Sequence, residues 1–124
     1  MTAESVYRSA LTLLGEHPDS THLTETALSA LSLIVLELEP LYAAYDAAYG
    51  QAHTPASAVN CLCDPLTMPA VFFPTLVYAL TASLCRSYNA EYAAVLEEKY
   101  RSHCQSLWAI LPAAVHPVRD SYSE

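Results

Sequence analysis

The chain has 124 residues, a formal net charge of −8 with only five Lys and Arg, and a hydrophobic content of 53%. That length suits one modest core, and that hydrophobic content excludes wholesale disorder. Five basic residues cannot build the stripe that neutralises phosphates, so neither nucleic acid nor an anionic membrane surface is expected as a partner.

Two glycines among many Ala, Leu and Ser favour helices over a tightly turned β-fold. The opening MTAESVYRSALTLLGE has no basic region before its apolar part, and Glu4 and Arg8 interrupt it, so it does not read as a signal peptide. Thr2 predicts the cap of a helix over Ala3 to Leu14, with Glu4 favourably placed in its first turn. Val6, Ala10, Leu13 and Leu14 are expected on its buried face, and Gly15 just past its end. A loop with Pro18 and Asp19 as turn residues leads to a second helix capped at Thr24. Its core stripe is Ala27, Leu28, Leu31, Ile34, Val35 and Leu38. Leu33 and Leu36 widen the apolar arc beyond that stripe. Such a helix is either packed on two sides within one domain or presents part of its arc to another subunit. Pro40 is expected to end or kink this helix near Leu38 and to open the segment PLYAAYDAAYG. Tyr42, Tyr45 and Tyr49 recur there at helical spacing, which usually marks a core edge with wet hydroxyls and occasionally a binding surface. Gly50 stops the segment.

From Gln51 to Met68 no helical period is visible, and Pro55 and Pro65 interrupt the run. So long a connection is expected to be functional or to be an arm that contacts a partner. Its apolar residues Val59, Leu62, Leu66 and Met68, with Leu33 and Leu36, are the candidate protein-interface residues. Ala58 to Cys63 alternates weakly, as a short strand does. No charge occurs between Asp64 and Arg86, but Pro65, Pro69 and Pro74 break that span. The unbroken part, Thr75 to Cys85, would be about 17 Å long against a bilayer core of about 30 Å, which predicts a buried helix. Leu76, Leu80 and Leu84, flanked by Val77, line its face. Asn89 is the expected cap of a last helix with Tyr92, Val95, Leu96, Tyr100, Cys104, Leu107 and Leu111 on its face. Glu97, Glu98, Lys99 and Arg101 read as solvated. The expected fold is therefore all-α, with three to four helices, a C-terminal αα-hairpin and an irregular arm before it. One domain covers 1–111, and 112–124 is expected to be an extended or disordered tail marked by Pro112 and Pro117.

Chemistry is hard to find in this chain. With two glycines no phosphate loop can form. His17, His22, His53, His103 and His116 are scattered and read as solvated. The carboxylate pairs Glu37/Glu39 and Glu97/Glu98 converge with no other candidate group in the sequence. Cys61-x-Cys63 is too tight for the usual zinc spacing, and Cys85 and Cys104 stand singly on helices. Reduced structural thiols are expected, with no metal, no cofactor and no catalysis. The competing enzymatic reading would use Cys61, Cys63 and a histidine.

The order of these segments is distinctive. A first helix ends in A-L-x-L-L-G-E (Ala10 to Glu16), a long helix runs into L-E-x-E-P-L (Leu36 to Leu41), and an arm carries L-x-D-P-L (Leu62 to Leu66). The hairpin F-P-x-L-V-Y-A-L-T-A-S-L (Phe73 to Leu84) and a downstream E-x-Y helix follow. Over about residues 3 to 110 this resembles the small all-helical head–tail connector (neck or adaptor) proteins of tailed bacteriophages and prophages. The resemblance implies a non-catalytic structural subunit of a ring between portal and tail. Its partners would be further copies of itself and the portal and tail-completion proteins. It would occupy the bacterial host cytoplasm during assembly and the virion neck afterwards. The arm, about Gln51 to Pro69, and the tail, Ala113 to Glu124, would make the inter-subunit contacts. An acidic wall would suit a DNA passage by repelling the genome. The alternative is a small cytosolic helical adaptor or regulatory protein that binds a partner through the Leu33/Leu36 face.

Overall fold

A computed structural model describes residues 1–112, so the expected tail contacts at Ala113 to Glu124 lie outside the described residues. Four helices follow in order: α1 (Ala3–Leu14), α2 (Thr24–Ala48), α3 (Phe73–Cys85) and α4 (Ala90–Ala109), with a 3₁₀ turn at Ala70–Phe72 leading into α3. The fold is all-α, and no strand forms among the described residues.

Local chemistry sets the helix ends. Thr2 caps α1 by accepting the Ser5 N–H at 3.2 Å, while the Ser5 hydroxyl lies 3.3 Å from the Thr2 N–H. Gly15 takes φ +79°, a left-handed conformation that costs other residues a steric penalty. The buried face of α1 is Ala3, Val6, Tyr7, Ala10 and Leu11, with Leu14 half-buried. Leu13 is 39% exposed and not in the expected stripe, because it falls on the far side from Leu11.

Two expectations for α2 are corrected. Its cap position is Leu23, with Thr24 already helical. The helix also runs unbroken through Pro40 for 25 residues, about 37 Å. Pro40 lacks the N–H that would bond the Leu36 carbonyl, but both residues lie on the exposed side, where water can replace it. The PLYAAYDAAYG segment is thus the last part of α2 up to Ala48, with Tyr49 as its C-cap and Gly50, at φ +66°, beyond it. This is the one described helix long and apolar enough to cross a membrane; its stripe Ala27, Leu31, Val35, Leu38 and Leu41 is buried in the core.

The centre of the fold is α3. It forms the closest packed pair with α4 and also packs on α1 and α2. Leu76 and Leu80 are fully buried, as are Thr75, Thr81 and Cys85, so α3 is enclosed on most sides. Phe72, just ahead of it, is fully buried too. Asn89 caps α4 through its side-chain oxygen, which accepts the Tyr92 N–H at 3.1 Å. The buried line of α4 is Ala93, Leu96 and Leu107, followed by Leu111, while Val95 is 51% exposed.

The arm is integral to this core. Val59 and Met68 are each 4% exposed within the main cluster, with Ala56, Leu62 and Leu66 packed against it. The carbonyls of Leu62 and Asp64 accept the Glu4 and Ala3 N–H groups at 2.9 and 3.0 Å. Two of the first-turn donors that every helix leaves unpaired are satisfied in this way. The expected strand over Ala58 to Cys63 does not form; the pairing is one isolated antiparallel bridge between Thr2 and Pro65.

Candidate functional site

Two regions carry features beyond those needed for packing. The first is the outer side of α2. Leu33 and Leu36 are 69% and 58% exposed, the most open of the candidate interface residues. Leu33 borders a cleft of about 440 Å³ between α2 and α4, floored by Ala79 and Ala82 of α3. A second cleft of about 310 Å³ continues past Glu37 and Tyr100 to Leu41 and Trp108. Between the two, the Tyr100 hydroxyl donates to Glu37 at 2.5 Å. Burial, with the Glu37 carboxylate beside it, pushes the Tyr100 phenol well above its usual range. At neutral pH it therefore stays a donor.

The other four candidates lie elsewhere. Val59 and Met68 face the chain's own core, and Leu62 and Leu66 are half-buried against it. The arm, expected from the sequence to be functional or to contact a partner, thus finds much of its burial in the chain's own core. Lack of helical periodicity excludes helix, not membership of the core.

The second region is the seam where α2 grips the arm. Ser32, Glu39, Tyr42 and Asp46, spaced seven, three and four apart, share one helix face. Ser32 Oγ accepts the Val59 N–H at 2.9 Å, and the Tyr42 hydroxyl donates to the Thr67 carbonyl at 3.0 Å. Glu39 accepts the Ala56 N–H at 2.9 Å. His53 lies between two carboxylates: its Nδ1 is 2.8 Å from Asp46, and its Nε2 bonds Glu39. Asp46 is 4% exposed, and the Tyr42 ring meets the imidazole edge-on at a centroid distance of 4.5 Å.

A neutral imidazole can donate from only one nitrogen, so this geometry fits the doubly protonated cation. Hydrogen bonds to Asp46 and then Glu39 accordingly hold the His53 pKa above its ordinary value. Burial raises the pKa of Glu39, but the Ala56 N–H and the His53 bond and charge outweigh it and leave the value lowered. With both ring nitrogens engaged, His53 is arranged to hold the arm, not to accept a substrate's proton.

Reading His53 as solvated and Glu39 as convergent with nothing is thus corrected. The available signal was the i, i+7 spacing of Glu39 and Asp46 on one helix, with a histidine shortly after its end.

The cysteines divide. Cys61 and Cys63 are joined in a disulfide with Cα atoms 5.1 Å apart, which corrects the expectation of four reduced thiols. Potential donor atoms of Cys61, Cys63 and Asp64 lie within 4.8 Å of one another, but bonded sulfurs offer no thiolate to a metal. Cys85 is buried and Cys104 half-buried, as structural thiols are. Burial raises the pKa of both, which disfavours the thiolate.

Compared with known protein families, curated proteins and solved structures, the chain matches none.

Proposed function

We propose that this chain is a non-catalytic structural subunit of a phage head–tail connector ring, assembling through protein–protein contacts between portal and tail. The observation that carries the reading is the pair Leu33 and Leu36, exposed on the outer side of α2, with Leu33 bordering the cleft against α4. Two leucines open on one helix, one of them at the edge of a cleft, favour a protein partner over water. The order of helices and arm, and a formal charge of −8 suited to lining a DNA passage, support the same reading. In this scheme the arm tunes the shape of the subunit, and α2 provides the contact.

The test is mass in solution by light scattering across a concentration series, alone and with purified portal rings. A ring subunit gains mass with concentration or on the portal. A chain that stays monomeric in both settings is not one. The same face would equally serve a helical adaptor for an unrelated partner, and a gene neighbourhood without portal or terminase would favour that alternative.

A further inference from the structure

At the C-terminal end of α2 the tyrosine stripe borders a cavity that the ring reading leaves unused. It encloses about 610 Å³, and its walls include Tyr42, Tyr45, Asp46, Tyr49, Gln51 and Thr67. Tyr42 is fixed by its bond to the Thr67 carbonyl. Tyr45 packs edge-on against Phe72 at 5.7 Å and lies 4.6 Å, centroid to centroid, from Tyr49. Tyr49 itself is 53% exposed, which places one aromatic wall within reach of solvent.

Three independent features give this cavity one electrostatic preference. Its wall holds a nearly buried carboxylate, Asp46. It adjoins the C-terminus of α2, the negative end of the helix dipole, where the last turn has no basic residue, and the Tyr45, Asp46 and Ala47 carbonyls there accept the Tyr49, Gln51 and Gly50 N–H groups. Aromatic faces attract cations. The described basic residues are engaged elsewhere: Arg8 with Asp19, Arg86 with Glu97, Arg101 with Glu98, and Lys99 over the Tyr78 ring.

We infer that this cavity binds a single organic cation, an alkylammonium or guanidinium group, against Tyr45 and Tyr49 and paired with Asp46. The inference goes beyond the ring reading and holds whether or not the chain forms rings. Two sources present this chemistry, a free amine or a Lys or Arg side chain of another protein.

His53 gives the site a signature. The titratable groups around the imidazole are Glu39, Tyr42 and Asp46 of α2, with Tyr45 and Tyr49 on the cavity side. When His53 is protonated it neutralises Asp46, the carboxylate in the cavity wall; when it is neutral, the Asp46 charge is available to a ligand. The His53 proton and the ligand therefore compete. Binding must strengthen as pH rises through the His53 titration, and by linkage the ligand must lower the His53 pKa.

The experiment titrates the full chain with n-butylammonium, N-butylguanidinium and a lysine-containing tripeptide, against NaCl at matched ionic strength. Backbone amide shifts in two-dimensional NMR report the site, and the His53 ring resonances report its pKa. Saturable shifts over residues 45–52 are expected, absent with NaCl. Tyr49→Ala, an exposed position that leaves the fold intact, should weaken binding by about three- to tenfold. Asp46→Asn should weaken it by about tenfold or more. Tighter binding of the tripeptide than of the free amines identifies a protein side chain as the source, and the reverse identifies a small amine. Shifts no larger than with NaCl overturn the inference. So does binding that is unchanged in Tyr49→Ala, or a His53 pKa that the ligand does not lower.

Discussion

The α3–α4 pair and the arm are held by different forces: α3 shares the main core with the arm, while Ala82 and Cys85 of α3 form a second apolar cluster with Ala93 and Leu96 of α4. Leu76, Leu80, Ala93 and Leu96 bury apolar surface in the helix pair, a force that is non-directional and indifferent to pH. The arm contributes Val59 and Met68 to the core, but its path is fixed by directional bonds from Ser32, Glu39, Tyr42 and Asp46. The difference teaches where the molecule can be adjusted. The buried apolar contacts of the helix pair respond little to solvent conditions short of unfolding, with the exposed Arg86–Glu97 ion pair sensitive to salt, whereas the arm is held partly by a histidine between two carboxylates.

The most disruptive way to sharpen this comparison is a cavity in the helix pair. Leu80→Ala removes a fully buried side chain from the helix that touches all the others. It should cost about 2–5 kcal/mol, read as a lower denaturant midpoint with an unchanged slope. Met68→Ala in the arm should cost a comparable amount if the arm belongs to the core, and far less if the arm docks only loosely. Deleting Gln51 to Met68 should therefore unfold the domain, since it also removes the acceptors for the Ala3 and Glu4 N–H groups.

A change of pH should separate the two regions without mutation. The His53 pKa is raised above 6.5, so its contribution is complete below that value and is lost as pH rises through the raised value. The Glu39 pKa is lowered below 4.5, so its contribution is complete above that value and is lost as pH falls through the lowered one. The arm is accordingly held best between 4.5 and 6.5. Hydrogen exchange at Ala56 and Val59, corrected for intrinsic rates, should be slowest in that window, while the α3 amides change little. Equal pH profiles in the two regions would show that the histidine does not hold the arm.

How much of this could be read from the sequence follows from the same division. The helix pair is built from neighbours in sequence: the Leu76, Leu80, Leu84 line and the Asn89 cap are periodic and local, and both were legible. The α1 ends were legible for the same reason, at Thr2 and Gly15. The arm was not, because its partners lie up to 27 positions away on α2 and no local period connects Ser32 with Val59. His53 looked solvated because nothing within a few residues of it is acidic except Asp46, seven positions back. Pro40 misled in the opposite direction: a strong local breaker was overruled by the packing of α2 on both sides of it. Leu33 and Leu36 were legible as excess apolar surface, but not which of the two explanations for it holds.

A smaller effect tests a defect inside the helix pair. Among the described residues, the fully buried Thr75 hydroxyl has no hydrogen-bond partner. A buried unsatisfied polar atom costs about 1–3 kcal/mol, and Val has nearly the same shape. Thr75→Val should therefore raise stability by about 1 kcal/mol, seen as a higher thermal midpoint. A loss of stability would mean that the hydroxyl has a partner, such as an ordered water.

The smallest expected effect on folding has the largest bearing on function. Leu33 and Leu36 reach solvent on the free side of α2, so Leu33→Ser with Leu36→Ser removes no core contact. Stability should stay within about 0.5 kcal/mol of the parent, as is usual for surface substitutions. If the two leucines are the contact surface of a ring, the same double variant should lose the concentration-dependent gain in mass and any retention on portal rings. The arm provides the control for this experiment. Val59→Ala lowers stability through the core but leaves the α2 surface unchanged, so it should still associate under conditions where it remains folded. Loss of association in the double leucine variant but not in Val59→Ala would assign the contact to α2. The opposite result would return it to the arm, and the two leucines would then be ordinary exposed residues on an apolar helix.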